Sequence, residues 1–152
     1  MAEQAITLSG FKEIEAQFLA LESGGKADEI QRAALKAVGD VIKPALVAAT
    51  RVRKTKVYGK SLPEGALKAA IRARTSLGKD GAAPMETVDF GKLSYIAYIV
   101  DHGHVNANAK EGRKHTPAYP FIRGVEDATR DEALEVYMAT LQQGINKVLE
   151  GE

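Results

Sequence analysis

The sequence predicts an α+β domain in which helices pack on a small antiparallel sheet, with a long C-terminal helix and long loops. Three observations point there. Two stretches, about 27–50 and 125–149, space their apolar residues by threes and fours. Between them, a stretch beginning at Leu67 alternates apolar and basic residues. Hydrophobic residues fill 45% of the 152 positions and charged ones 27%, the balance of a chain that buries a core. At this length residues 1–152 are expected to form a single domain.

The first element is a short amphipathic helix. Phe11, Ile14, Phe18 and Leu21 share one face, Ser9 is its candidate cap, Glu13 sits near its favourable N-terminal end, and Ser23, Gly24 and Gly25 stop it. A longer helix follows from about Ala27 to Thr50, with Ile30, Ala34, Val38, Val41, Ile42, Ala45 and Ala49 as a stripe of small and branched residues. Pro44 interrupts that run, so a kink or a break is expected there. Residues 51–63 lose all periodicity and crowd basic charges together, with Gly59 and Pro63 as breakers, and read as a mobile surface loop. Leu67, Ala69, Ile71 and Ala73 alternate with Lys68, Ala70, Arg72 and Arg74 as in a half-buried strand. A turn over 75–83 leads to a second strand at Met85–Phe90, and Leu93–Asp101 extends this to a meander or, by its second periodicity, forms a helix. Residues 103–118 are polar and patternless, a second long mobile loop. The last helix, from about Val125 to Leu149, carries Leu134, Tyr137, Leu141, Ile145 and Val148 on one face and Asp127, Asp131, Glu132 and Glu135 near its start.

Charge is segregated along the chain. The net charge of +1 divides into −3 for residues 1–42, +9 for 43–79, 0 for 80–123 and −5 for 124–152. The basic segment holds Arg51, Arg53, Lys54, Lys56, Lys60, Lys68, Arg72 and Arg74 against Glu64 alone, and a surface so built attracts an anion. Nucleic acid, an acidic protein partner and the acidic C-terminal helix of a second copy all fit that requirement. Tyr58 is the one aromatic residue in the segment, so contact with DNA would hold phosphates without reading sequence.

Several functions are excluded or unsupported. With no cysteine there is no disulfide, thiolate nucleophile or cysteine-bound zinc. No run of apolar residues has the length of a membrane span, and the start lacks the regions of a secretory signal, so a soluble intracellular protein is expected. Ser61, Ser76 and Ser94 lie outside a nucleophile elbow, and the glycines match neither phosphate-binding pattern. Asp101, His102, His104 and His115 are the one constellation with metal or general-base chemistry, but no further acidic group completes a coordination sphere. No catalytic residue and no cofactor are therefore expected. Tyr95, Tyr98, Tyr119 and Phe121 read as core or interface anchors.

Four separated motifs resemble the neck and tail-completion family of long-tailed bacteriophages. They are Gly10-Phe11-Lys12-Glu13-Ile14, then Gly65-Ala66-Leu67-Lys68-Ala69-Ala70-Ile71, then Ile96-Ala97-Tyr98-Ile99-Val100-Asp101-His102-Gly103, and finally Pro117-Ala118-Tyr119-Pro120-Phe121-Ile122-Arg123-Gly124-Val125 ahead of the last helix. The resemblance spans nearly the whole chain. It departs at Thr50–Thr55, which replaces the family's run before the first strand, at Asp101 where the family has glutamate, and at Gly124 where it has proline.

The resemblance implies a virion protein without enzymatic activity, assembled in the host cytoplasm as a six-fold ring at the head-to-tail joint, through which DNA passes. Its partners would be further copies of itself, a head-side connector or stopper protein, and a tail terminator or tail tube protein. On this reading Tyr98, Asp101, Tyr119, Pro120, Phe121 and Arg123 serve subunit or partner contacts. Arg51, Arg53, Lys54, Lys56, Lys60, Arg72 and Arg74 would line the lumen or meet DNA or an acidic partner. Phe121→Ala is expected to impair assembly more than folding. The rival readings are a terminator ring capping the tail tube and a nonspecific DNA-binding protein.

Overall fold

A computed structural model describes residue 21 and residues 25–52, 55–57, 60–78, 84–105 and 115–151, the side chains of 55–57 and 60 excepted. The helix expected over 11–21, with its Ser9 cap, therefore lies outside the described residues but for Leu21. The fold is α+β, with helices on small antiparallel hairpins and a long C-terminal helix.

Helix α1 spans Lys26–Ala49. It begins after Gly25, whose φ of 67° favours glycine, and Asp28 and Glu29 in its first turn complement the helix dipole. It ends at Thr50, where the backbone turns extended while the side-chain Oγ1 and the backbone N–H both donate to the Leu46 carbonyl. Of the kink or break expected at Pro44, the break does not occur, and one helix runs through it. Asp40, Lys43 and Pro44 are all exposed, so the carbonyl that loses its donor faces solvent.

The loop expected over 51–63 contains a hairpin, with β1 at Thr55–Val57 paired to β2 at Lys60–Leu62. The strand expected from Leu67 starts later. Residues Ala66–Ala69 form one helical turn, α2, and only Arg72–Ser76 is strand, β3. Alanines at 69, 70 and 73 imitate period-two alternation. The buried residues are Leu67 and Ile71, four apart, which a helical turn aims at the same core.

Strand β3 pairs with β4, Met85–Asp89, in a register from Arg72↔Asp89 to Ser76↔Met85. Among the described residues no third strand extends it. After a 3₁₀ turn at Gly91–Leu93, the ambiguous segment becomes α3, Ser94–His102, burying Ala97 and Asp101 one turn apart. In the segment 103–118, β5, His104–Val105, pairs with β6, His115–Thr116, so the long loop is closed at its base.

Helix α4 spans Phe121–Glu150, starting four residues before the expected point. Its first turn thus holds no acidic residue, and Asp127, Asp131, Glu132 and Glu135 lie further along. It packs antiparallel to α1, since Ile30 meets Gly144 while Leu46 shares the core with Val125. That core comprises Leu46, Leu67, Ile71, Phe90, Ala97, Phe121 and Val125, with Phe90 and Phe121 edge to face at 5.8 Å. The β3–β4 hairpin crosses α1 at Gly39, where an added Cβ would lie 2.4 Å from Oε1 of Glu86. Gly39, which lies outside the apolar stripe of α1, leaves room for this close approach.

Candidate functional site

The two later motifs of the sequence meet at the junction of α3 and α4. Asp101, near the end of α3, is 2% exposed. Its Oδ1 accepts a hydrogen bond from the Ile122 N–H at 2.8 Å. Helix α4 has Pro120 at its cap position, with no capping side chain of its own. Asp101 supplies from a distance the hydrogen-bond acceptor that a local Asp or Ser supplies elsewhere at the helix start. The expectation of a partner-facing Asp101 gives way to an internal role: its carboxylate is committed to the fold.

Around this bond the chain is fastened at further points. The Tyr119 N–H donates to the Val100 carbonyl at 3.0 Å, and the Phe121 N–H to that of Tyr119 at 2.8 Å. Gly103 has a φ of 75°, and a Cβ there would lie 2.7 Å from the Thr116 carbonyl oxygen and 2.8 Å from the Ala118 nitrogen. Only glycine fits that crossing. His102 stacks on Tyr98 with ring centroids 4.1 Å apart, and its Nδ1 lies 3.2 Å from the Tyr98 carbonyl oxygen and 3.4 Å from Oδ2 of Asp101.

The other expected interface residues divide by burial. Phe121 is 5% exposed and belongs to the core, so its side chain is a packing group rather than a surface contact, and its truncation is expected to act on folding. Tyr119 is half-buried, stacks on Phe121, and carries the Arg51 guanidinium 3.4 Å above its ring centre. Tyr98, Pro120 and Arg123 are exposed and free to meet a neighbour.

The basic candidates are also more occupied than the sequence suggests. Arg72 Nε donates to Asp89 Oδ1 at 2.8 Å, and Arg74 pairs with Oδ2 of the same carboxylate. The Gly91 N–H adds a bond to Oδ1 at 2.7 Å. The Arg72 hydrogen bond leads in holding the Asp89 carboxyl down at about 2, helped by the Gly91 N–H and Arg74, against a smaller opposing effect of burial. Both arginines remain half-exposed on one face of β3. Lys56 and Lys60 lie on paired strands of the first hairpin, and Arg53 and Lys54 lie outside the described residues. Asp89 was not singled out by sequence reasoning. The signal for it is the hairpin register, which puts it opposite Arg72.

Among the described residues no group of three or more histidine and carboxylate side chains is placed to hold a metal. Asp101 is spent on the Ile122 N–H, and His104 Nε2 lies 3.5 Å from the Thr116 hydroxyl. No described helix is long and apolar enough to cross a membrane. Compared with known proteins, the chain matches no family model, no curated protein and no solved structure.

Proposed function

We propose that this chain is a structural virion protein of a long-tailed phage, assembling as a ring at the head-to-tail joint and performing no chemistry. The observation that carries the reading is the junction itself. The segments 96–103 and 117–125, two of the four on which the resemblance rests, are joined by the Asp101–Ile122 and Val100–Tyr119 bonds. Motifs some twenty residues apart thus act as one structural unit, which supports treating them as one signature.

A ring of identical subunits needs two different patches that fit each other. Exposed Glu126, Asp127, Asp131, Glu132 and Glu135 on α4 offer an acidic patch, and the segment 43–79 a basic one. Tyr98 and Arg123 flank the junction and suit the rim of such a contact. Arg72 and Arg74 keep exposed surface for passing DNA, but Asp89 neutralises part of their charge, which favours weak, salt-sensitive contact. The partners on this reading are a head-side connector or stopper and a tail terminator or tail tube protein.

The test is electron microscopy of particles made from a phage genome lacking this gene, with the intact gene supplied as control. Filled heads separated from finished tails are the expected outcome. Tails of abnormal length would move the ring to the tail end as a terminator. Normal infectious particles would overturn the structural reading, and steeply salt-dependent duplex binding by the purified protein would then favour a nonspecific DNA-binding role.

A further inference from the structure

The second half of α4 carries an apolar face that the described elements leave open. Leu134, Met138, Leu141 and Ile145 recur at spacings of four, three and four, and Leu134 and Met138 are 62% and 58% exposed. At 100° per residue this face is turned by about 170° from the side on which Val125 enters the core. It borders a groove of about 480 Å³ walled by Leu21, by Ile30 of α1 and by Tyr137, Leu141 and Ile145 of α4.

Leu21 is the last member of the apolar stripe Phe11, Ile14, Phe18 and Leu21. Only residues 22–25 separate it from α1, and the left-handed Gly25 stands at the turn. A link so short between helices makes them antiparallel neighbours. A helix over 11–21 antiparallel to α1 would run parallel to α4 and would set Leu21 beside Ile145 and Phe11 towards Leu134. The lengths agree: residues 11–21 span about 15 Å as a helix, and Leu134–Ile145 about 16.5 Å.

We propose that residues 11–21 pack as an amphipathic helix along the Leu134–Ile145 face, so that the occupant of this groove is the chain's own N-terminal segment. The proposal does not depend on the ring reading. It removes this face from the surfaces available to a neighbour and leaves the α3–α4 junction and the charged patches for assembly.

The absence of cysteine allows a clean test in the full chain. Ile14→Cys combined with Met138→Cys probes the proposed contact, and Leu21→Cys combined with Ile145→Cys probes the groove wall already described. Each double variant, checked by circular dichroism for the parental helical signal, is treated with a short bismaleimide in an equal mixture of light and heavy isotope-labelled protein. The expected product in both is one chain plus one linker, with the two labelled peptides joined and no mixed-isotope species. A missing link in either pair overturns the proposal. Links found only between light and heavy chains also overturn it, and give the groove to a second copy.

Discussion

The two halves of α4 both carry apolar residues at helical spacing and meet opposite fates. In the first, Phe121, Val125, Thr129 and Ala133 are buried at every fourth position, facing Phe90 and α1. In the second, Leu134, Met138 and Ile145 stand largely in the open while Gly144 presses on Ile30. The difference teaches that spacing identifies a helix but not the face that is covered, which depends on what the chain brings opposite it. In the first half that partner is the α3 junction and the core. In the second it is α1 on one side and, on our proposal, residues 11–21 on the next.

The strongest way to break this comparison is to empty the first half. Phe121→Ala should cost about 3–5 kcal/mol, the usual loss for a buried phenylalanine, read as a lower denaturation midpoint. A loss below about 1 kcal/mol would mean that the first half is no more committed than the second. Asp101→Ala leaves the part-buried Ile122 N–H without its acceptor and should cost about 1–2 kcal/mol, whereas Asp101→Asn, which keeps an acceptor oxygen, should cost less. Equal losses for the two variants in urea denaturation would remove the capping role.

Met138→Asp sharpens the comparison from the other side. On a bare surface such a change stays within about 0.5 kcal/mol, and under a packed segment it should exceed about 1 kcal/mol. We expect the larger value in thermal unfolding. The smallest effect concerns Asp89, remote from either half. Its folded-state carboxyl titrates near 2, below the ordinary 3.8, so its contribution is present above pH 4 and is lost as pH falls towards 2. Solvent screening of the half-exposed arginines limits it to roughly 1 kcal/mol. Acid unfolding of Asp89→Asn should show a shallower loss of stability than the parent between pH 4 and 2, and parallel curves would contradict it.

The fold class and both long helices were legible because their apolar spacing persists over many turns. The errors fell where alanine or proline carried the signal. Alanine at 69, 70 and 73 is small enough to lie on either side of a strand or a turn, so the period of that stretch was set by Leu67 and Ile71 meeting the core. Pro44 left a kink and a break both open because sequence does not reveal that its side of α1 faces water. The α3 segment fits two periods, and the buried pair Ala97 and Asp101 decides for the helix. At the candidate site, the residue types were legible and their direction was not. Asp101, singled out as an interface carboxylate, points inward to Ile122, and arginines read as open charges already hold Asp89 and Tyr119.

The pairing of His104 with Thr116 and of Val105 with His115 gives the stretch between them fixed and adjacent ends. The residues that fasten those ends, from Val100 to Ile122, all lie outside it. The cost of closing such a stretch grows only with the logarithm of its length, by about 0.6 kcal/mol for each doubling. Residues 106–114 are therefore a natural insertion point. An epitope or a small fluorescent domain placed there would leave both helices in register and mark the protein's position in a particle, without tagging either terminus.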